Sequence, residues 1–301
     1  MPQWLPIYDP DLGCSTHRTF GSMNIDLRRT ILVMAIVNRT RDSFFDGGKT
    51  FEFSRALTAA LTAVDDGAHW VDIGGVPFSP ISEPVSEADE LLRIVPLIDE
   101  IRQRTDAIIS VDTFRATVAV EALAAGADVI NDTSGLRDPE MAVITARANA
   151  GLVITHSRAR PRELLVRPKY DDIVREVAIH LSEKAELAQR LGLNPENIII
   201  DPGHDLNKNT YHSLELTRNL FEFAKLKYPL LVSVSNKDFL SESLNLPKDQ
   251  LSSGTTATLM TCIMQGARIV RVHDVKAARS AVEIFESIFG SRLPQNPRHN
   301  L

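Results

Sequence analysis

Short apolar runs recur along the chain, and most have lost the alternation of polar and apolar positions. This pattern is typical of strands in a parallel sheet that is covered on both faces. The predicted strands are Ile31–Val37, Trp70–Ile73, Ile108–Val111, Val129–Ile130, Leu152–Ile154, Ile198–Ile200, Leu230–Val234 and Ile269–Val272. Stretches with helical spacing follow most of them, for example Ala277–Ile288, whose apolar side chains recur three or four residues apart on one helix face. The other predicted helices are Ser54–Val64, Ala88–Ile101, Thr117–Ala125 and Ile173–Leu191.

Glycine separates helix ends from strand starts in these repeats. Gly67 and Gly126, in the segments DDGAHWVDIGG and AAGADVINDTSG, stand where a left-handed helix C-cap is expected. Gly151 and Gly266 stand at the same place before later strands.

Eight strand–helix units over about 255 residues match the count of a (β/α)8, or TIM, barrel. The alternative is an open doubly wound sheet, which usually has a glycine-rich first turn, and no GxGxxG follows any predicted strand here. We therefore predict an α/β protein with a single barrel domain over residues 29–290. Residues 1–28 are expected to be an N-terminal extension against the barrel floor, and residues 291–301 a C-terminal tail.

Polar side chains stand at or near the carboxyl end of each predicted strand. They are Asn38, Asp72, Asp112, Asn131, His156, Asp201, Lys237, Arg271 and His273. The carboxyl ends of barrel strands converge on one mouth, where barrel enzymes keep their chemistry. Single residues have structural alternatives: Asp112 as a helix N-cap, Asp201 as the opening of a turn, Lys237 as a solvated loop residue and His156 as a hydrogen-bonded structural residue. All of these residues, however, stand at the same position of the strand–helix repeat, which favours a common binding site over separate structural roles.

This mixture of groups suits a flat heterocycle that carries a diphosphate. A carboxylate can accept two parallel N–H bonds from a guanidine-like edge, and a lysine can donate to a ring carbonyl. Arg271 can stack on a ring face. Asn38, Arg271 and His273 can hold a diphosphate, with Mg²⁺ bridging its oxygens. Chemistry at a diphosphate ester needs this neutralisation of charge on the leaving group.

Composition narrows the class of protein further. The 301 residues are 44% hydrophobic and 24% charged, as in an ordinary soluble enzyme. A formal net charge of -6 disfavours nucleic acid and an anionic membrane surface as partners. The chain begins without a signal-peptide pattern and lacks a long apolar span, so a cytoplasmic location is expected. Cys14 and Cys262 match no metal-ligand spacing and are expected to be free thiols.

Taken together, the motifs resemble those of the dihydropteroate synthase family. The matching segments are VNRTRDSFFDGG, DIGG with SEPVS, ISVDT, INDTSG, DPGHDLNKN, SNKDF and GARIVRVHDV, in the order and spacing of that family. The resemblance implies a pterin-binding TIM barrel. It also implies a transferase of folate biosynthesis that joins 6-hydroxymethyl-7,8-dihydropterin diphosphate to p-aminobenzoate, releases diphosphate, uses Mg²⁺ and forms homodimers.

The resemblance assigns roles by position. The implied pterin-binding residues are Asp112, Asn131, Asp201, Lys237 and Arg271. Among these, Asp112, Lys237 and Arg271 are expected to be catalytic. The Asp112 carboxylate would lie near the methylene carbon and stabilise the positive charge that builds there as diphosphate leaves. The implied diphosphate-binding residues are Asn38, Arg271 and His273, and Asn38 is the expected Mg²⁺ ligand.

Departures from the family pattern concentrate on the side that would hold p-aminobenzoate. After DIGG the family reads E-S-T-R-P-G, whereas Phe78 and Ser79 stand here in place of the Thr-Arg pair. The S-R-K-S motif has become Ser235, Asn236, Lys237 and Asp238. The G-x-G-F-G-K segment has become residues 203–208, and loop one carries Arg39 and Arg41.

These observations leave three hypotheses. The favoured one is a dihydropteroate synthase-like transferase that joins the pterin diphosphate, or an analogue, to an amine that differs from p-aminobenzoate or binds differently. The alternative is a catalytically inactive paralogue that still binds pterin, as the divergent second synthase-like proteins of some bacteria suggest. A folate-dependent methyltransferase is disfavoured, because the chain has no room for a corrinoid domain and keeps the arginine and histidine of a diphosphate site.

Overall fold

Residues 17–40, 52–77, 81–163 and 165–299 are described by the computed structural model. An antiparallel hairpin, β1 (His17–Phe20) and β2 (Met23–Asp26), precedes a closed barrel of eight parallel strands. The barrel strands are β3 (Leu32–Asn38), β4 (Trp70–Gly74), β5 (Ile108–Asp112), β6 (Val129–Asp132), β7 (Gly151–Thr155), β8 (Ile198–Asp201), β9 (Leu230–Val232) and β10 (Ala267–Val272). They follow chain order around the barrel and β10 closes on β3, so the predicted fold class is confirmed.

Helices connect the strands and cover the outside of the barrel. They are α1 (Phe53–Asp65), α2 (Glu87–Arg102), α3 (Ala116–Ala124), α4 (Glu140–Arg147), α5 (Ile173–Arg190), α6 (Thr210–Arg218), α7 (Phe221–Ala224), α8 (Asp238–Leu244), α9 (Ser252–Met264) and α10 (Val275–Ile288). In α10 the Asp274 side chain caps the first turn by accepting from the Ala277 amide, and Val282 and Phe285 face the core. Across the described ranges, no helix has the length and apolar character to cross a membrane.

The hairpin packs against the amino-terminal end of the barrel. Phe20 of β1 is buried, with its ring centroid 5.6 Å from that of Trp70 at the start of β4. Inward-facing residues from the first half of the strands, such as Ile108 and Val153, belong to the same apolar cluster. Burying a phenylalanine stabilises the fold by roughly 1.5–3 kcal/mol. The hairpin therefore closes the floor of the barrel, opposite the mouth.

Three of the four predicted glycine positions are left-handed helix ends. Gly67, Gly126 and Gly266 have φ of +97°, +104° and +106°. The prediction for Gly151 was wrong, because Asn149, with φ +51°, takes the left-handed conformation there. Asparagine tolerates that conformation through its short polar side chain. Gly151 instead begins β7, where a Cβ atom would lie 3.0 Å from Val129 Cγ2 and would crowd the hairpin.

Of the two predicted free thiols, only Cys262 falls within the described residues. It is buried and forms no disulfide. Burial raises the pKa of its thiol to about 12, so the side chain behaves as a small apolar group. Cys14 lies outside the described residues.

Candidate functional site

One row of the sheet register brings three predicted site residues together. Asn38 pairs with Gly74, Gly74 with Asp112, and Asp112 with Asn131. A Cβ atom on Gly74 would lie 2.8 Å from Asn38 Oδ1 and 3.8 Å from the Asp112 Cβ. Glycine at position 74 therefore leaves the space in which the Asn38 and Asp112 side chains approach each other at the mouth.

Arg271 joins two carboxylates at the centre of the mouth. Its Nε donates to Asp72 Oδ2 at 2.7 Å and its Nη2 to Asp112 Oδ2 at 3.3 Å. Asp72 is fully buried and also accepts hydrogen bonds from Asn131 Nδ2, at 3.1 Å, and from the Ser110 hydroxyl. Asp72 lies two residues before Gly74 on the same strand face, one layer deeper. It therefore fixes the side chains of Arg271 and Asn131, a positioning role that the sequence analysis did not assign.

Asp201 and Lys237 lie on the opposite side of the mouth. Asp201 Oδ1 accepts from the Gly203 amide at 2.7 Å. Asp201 therefore opens a turn, which was the structural role considered for it in the sequence analysis. Burial raises the pKa of the Asp201 carboxyl, and burial lowers the pKa of Lys237 despite the nearby carboxylates of Asp205 and Asp201. No hydrogen-bond acceptor for the Lys237 ammonium is found in the described part of the chain. Its N–H donors can therefore serve a ligand.

The structure also decides the purely structural roles that were considered for Asp112 and His156. Asp112 is not the N-cap of α3, since that position belongs to Arg115. His156 is a structural residue, because its Nδ1 lies 2.9 Å from Lys208 Nζ, which also donates to the carbonyl oxygens of Gly203 and Leu206. Burial, together with the charge of Lys208, holds the pKa of His156 far below its ordinary value, so the neutral ring is the acceptor.

Two of the four residues predicted on the altered acceptor side, Ser235 and Asn236, fall within the described residues. Ser235 Oγ lies 3.1 Å from His273 Nδ1, next to the proposed diphosphate end. Asn236, with φ +54°, turns toward α9, where its backbone N–H donates to Thr255 Oγ1 at 3.3 Å. Both residues line a second cavity of about 130 Å³ between α9 and α10. Phe78 and Ser79 lie outside the described residues.

A cavity of about 190 Å³ opens at the mouth beside Asp112. One wall comes from Pro77 and Phe114, after β4 and β5. The opposite wall comes from Ser157, residues 160–163, Leu165 and Pro168 in the loop after β7, and the segment 205–208 contributes Lys208. None of the wall residues on the β7 side was singled out from the sequence, because nothing in the local pattern places that loop over the mouth.

The altered residues 203–208 explain how that loop is held. Asp205 and Asn207 have φ of +63° and +52°, which accounts for the glycines that the related family carries at these positions. Asn207 Oδ1 accepts three hydrogen bonds, from Ser157 Oγ at 2.9 Å, from the Arg158 amide at 3.0 Å and from the Ala159 amide at 2.9 Å. A glycine could supply the backbone conformation but none of these bonds.

Replacing Asn207 by glycine is therefore expected to loosen the loop without straining the backbone. The variant should lose about 1–3 kcal/mol of unfolding free energy, through the unpaired loop amides. It should also show faster amide hydrogen exchange at residues 158 and 159. Asn207→Asp, which keeps an acceptor oxygen, is the matched control and should retain the protection. Equal exchange in wild type and Asn207→Gly would contradict this account of the loop.

The raised pKa of Asp112 predicts how the stability of the protein depends on pH. Burial raises the pKa of its carboxyl to about 7, Arg271 opposes this shift, and Asp72 adds to it. Between the ordinary pKa and this value the folded state binds more protons than the unfolded state, so stability falls as pH rises from about 4 to 7. Asp112→Asn abolishes this loss. Relative to wild type, the free energy of unfolding of the variant should therefore rise by about 2 kcal/mol between pH 5 and pH 8. This is less than the full pKa shift would give, because the Asp112 side chain is 26% exposed and solvent screens its charge.

Urea unfolding at the two pH values checks this expectation. Asp106→Asn, at an exposed position, is the control and should follow the wild type at both pH values. A difference between Asp112→Asn and wild type that stays constant with pH would contradict the raised pKa.

Comparisons with known proteins agree on one family. The profile described as pterin binding enzyme matches residues 34–273. The chain is 42% identical over 273 residues to "Inactive dihydropteroate synthase 2" of Mycobacterium leprae, covering 87% of this chain and 92% of that protein. It is 38% identical over 265 residues to the dihydropteroate synthase of Bacillus subtilis, covering 88% of this chain and 90% of that protein.

Solved structures show the same relationship. A Yersinia pestis dihydropteroate synthase in a sulfonamide drug complex matches with a TM-score of 0.86 and 35% identity, covering 92% of this chain and 100% of that chain. A Xanthomonas albilineans dihydropteroate synthase with 4-aminobenzoic acid matches with a TM-score of 0.84 and 32% identity, covering 91% and 98%.

Proposed function

Because the chain belongs to the pterin binding enzyme family, we propose that it is a dihydropteroate synthase-like transferase acting on 6-hydroxymethyl-7,8-dihydropterin diphosphate or an analogue. The pterin is joined to an amine and diphosphate is released. One observation carries this proposal: at the barrel mouth the buried Asp72 carboxylate accepts from Asn131 and Arg271, and Arg271 also donates to Asp112.

The pterin ring is proposed to lie between Asp201 and Lys237. The Asp201 carboxylate accepts N–H bonds from the guanidine-like edge of the ring, and the Lys237 ammonium donates to a ring heteroatom. Asn131, held by Asp72, supplies a further polar contact. Arg271 covers a ring face, because its guanidinium is fixed by Asp72 and Asp112.

In the proposed reaction, the bond between the methylene carbon and the diphosphate oxygen breaks. A bond from that carbon to the amine nitrogen forms, and the nitrogen loses a proton. The Asp112 carboxylate stabilises the positive charge that builds on the methylene group. Arg271 and His273 neutralise the departing diphosphate, and the Ser235 hydroxyl, 3.1 Å from His273 Nδ1, orients the imidazole.

Mg²⁺ is proposed to bind together with the diphosphate. The described residues contain no cluster of three or more His, Cys, Asp or Glu side chains that could hold a metal ion by themselves. Mg²⁺ commonly keeps several waters and takes its other oxygens from substrate phosphates. The Asn38 amide oxygen, in the space kept open by Gly74, is the protein ligand that fits this arrangement. Bound there, the ion would neutralise charge on the leaving diphosphate.

A homodimer is the proposed assembly. On α10, Ile284 and Ile288 are 59% and 71% exposed although both are large apolar residues. An apolar helix face of this kind is suited to pairing with a second copy. Sedimentation equilibrium tests the proposal, and a monomer at micromolar concentration would contradict it.

A second candidate is a pterin-binding protein without turnover. The similarity to "Inactive dihydropteroate synthase 2" of Mycobacterium leprae favours it. The two candidates share the pterin site and differ at the acceptor side.

A coupled diphosphate-release assay with the pterin diphosphate, Mg²⁺ and a panel of aryl amines separates them. The transferase releases diphosphate in the presence of at least one amine. Saturable pterin binding without release for any amine would identify the inactive alternative, and the absence of both would reject the two together.

A further inference from the structure

Arg160 lies in the loop after β7 and shares the mouth cavity with Asp112. Its backbone is held, since the Arg160 amide donates to Glu163 Oε2 at 3.3 Å and the Glu163 amide donates back to the Arg160 carbonyl oxygen at 3.0 Å. Its guanidinium makes no hydrogen bond or ion pair with any residue that the structure describes. A positive charge therefore lies on the wall of the cavity that Asp112 also lines.

The carboxylates that line the same cavity are already engaged. Asp112 is paired with Arg271 at 3.3 Å. Asp205 accepts from a serine hydroxyl at 2.8 Å and from a backbone amide at 3.3 Å. Glu163 accepts from the Arg160 amide. None of them forms an ion pair with Arg160.

The other cations at the cavity have neutral partners. Arg162 donates to the carbonyl oxygens of Ser82 and Glu83, the latter at 2.9 Å. Lys208 donates to backbone carbonyl oxygens and to a neutral histidine. The cavity is thus lined by three cations, Arg160, Arg162 and Lys208, and by three carboxylates, and among these cations only the Arg160 guanidinium has no described partner. An anion that enters the cavity can pair with this guanidinium.

The residues that precede Arg160 in the loop are held by hydrogen bonds. Asn207 holds the first residues of the loop through three hydrogen bonds. Arg158 stacks on the Tyr170 ring at 3.7 Å, and the Tyr170 hydroxyl donates to the Asn207 carbonyl oxygen at 3.1 Å. Binding therefore does not need to order this part of the loop, which lowers the entropic cost of binding.

Arg39 could also replace the arginine that the family carries at the position of Ser79, but its guanidinium is bound to other groups. Its Nη1 donates to the carbonyl oxygens of Leu92 and Arg93 in α2, at 3.3 and 2.7 Å, and its guanidinium lies 5.3 Å from the Phe53 ring. Arg41 lies outside the described residues.

We propose that Arg160 receives the anionic group of the amine acceptor, so that the loop after β7 determines specificity for the second substrate. The assignment of this ligand as the acceptor rests on the proposed transferase function. Pro77, Phe114 and Leu165 supply an apolar lining for an aromatic ring. The cavity of about 190 Å³ is smaller than the roughly 300–1,000 Å³ of pockets for drug-sized ligands, which favours a single ring. The ligand class is a one-ring aryl amine with a carboxylate.

Calorimetric titration of the full chain with 4-aminobenzoate and with its neutral analogue 4-aminobenzamide tests this proposal, with 6-hydroxymethyl-7,8-dihydropterin and diphosphate present. Arg160→Ala should weaken binding of 4-aminobenzoate roughly 10-fold to 100-fold, because a hydrogen bond to a charged group is lost. Binding of 4-aminobenzamide should change less than about twofold, since the amide has no charge to lose. Arg160→Lys should recover part of the difference.

Arg147→Ala, at an exposed position at the end of α4, is the matched control and should bind both compounds like wild type. Equal effects of Arg160→Ala on the two compounds, no effect on either, or no binding of 4-aminobenzoate by wild type would each overturn the proposal. Diphosphate release, measured separately for the same variants with the pterin diphosphate, Mg²⁺ and 4-aminobenzoate, separates the two claims. A wild type that binds 4-aminobenzoate through Arg160 without turnover contradicts only the transferase. A wild type that turns over, with Arg160→Ala unaffected, contradicts only the role of Arg160.

Discussion

Arg271→Ala is expected to lower the free energy of unfolding by about 3–5 kcal/mol at neutral pH. Arg271 is 14% exposed and pairs with Asp72, whose side chain is fully buried, and with Asp112. Removing the guanidinium leaves two neighbouring carboxylates without a counter-charge in a poorly solvated site. Asn131 also loses its fixed geometry, because it shares the Asp72 carboxylate with Arg271. Pterin binding should be lost together with stability.

Two further variants identify the cause of this loss. Arg271→Lys keeps the charge but cannot donate to both carboxylates in one planar fork, so it should recover only part of the stability. Arg271→Met combined with Asp72→Asn removes both charges of the buried pair and should be less destabilised than Arg271→Ala. The loss of unfolding free energy in Arg271→Ala should grow as the pH rises above 7. Arg271 lowers the pKa of Asp112, which burial raises to about 7, so without the guanidinium this pKa rises further and the variant must give up the proton at a higher pH.

Urea unfolding followed by circular dichroism measures these effects. A loss below about 1 kcal/mol for Arg271→Ala, a value ordinary for exposed ion pairs, would contradict the central place of this arginine.

Asp201→Asn is expected to weaken pterin binding by about 100-fold or more while the fold is kept. The asparagine oxygen can still accept the Gly203 amide, which now lies 2.7 Å from Asp201 Oδ1. The new amide N–H, however, opposes the N–H donors of the pterin ring. A site built to hydrogen-bond a polar edge discriminates strongly when one partner is mismatched.

Fluorescence titration with 6-hydroxymethyl-7,8-dihydropterin measures this loss. Asp171→Asn, at an exposed position before α5, is the control and should bind like wild type. Unchanged affinity in Asp201→Asn would remove Asp201 from the pterin site, and unfolding of the variant would be recognised by its circular dichroism.

The barrel could be predicted because its strands are buried on both faces. Runs such as Ile108–Val111 and Ile198–Ile200 read as apolar segments, and most observed strands extend the predicted ones by no more than two residues. The strand predicted over Leu230–Val234 is shorter than expected, since β9 ends at Val232. The hairpin residues 17–26 carry no such signal, since HRTF and MNID are short and mostly polar and are held by packing on Trp70. Helix α9, with threonine and serine on several sides, lacks a clear apolar face.

The mouth was predictable for a different reason. Strand ends of a closed barrel must converge, so Asp112, Asn131 and Arg271 could be assigned to one place from their phase alone. The fixed partners of these residues could not. Asp72 is distinguished only by its burial, and the roles of Asn207 and Arg160 depend on where a long loop folds back over the mouth.

A crystal structure of the protein with the pterin diphosphate and Mg²⁺ tests most directly whether this mouth binds the pterin. The predicted result places the ring edge on Asp201 and Lys237, the methylene carbon beside Asp112, and the diphosphate against Asn38, Arg271 and His273. A ring bound elsewhere, or a diphosphate directed away from His273 and Asn38, would contradict the account.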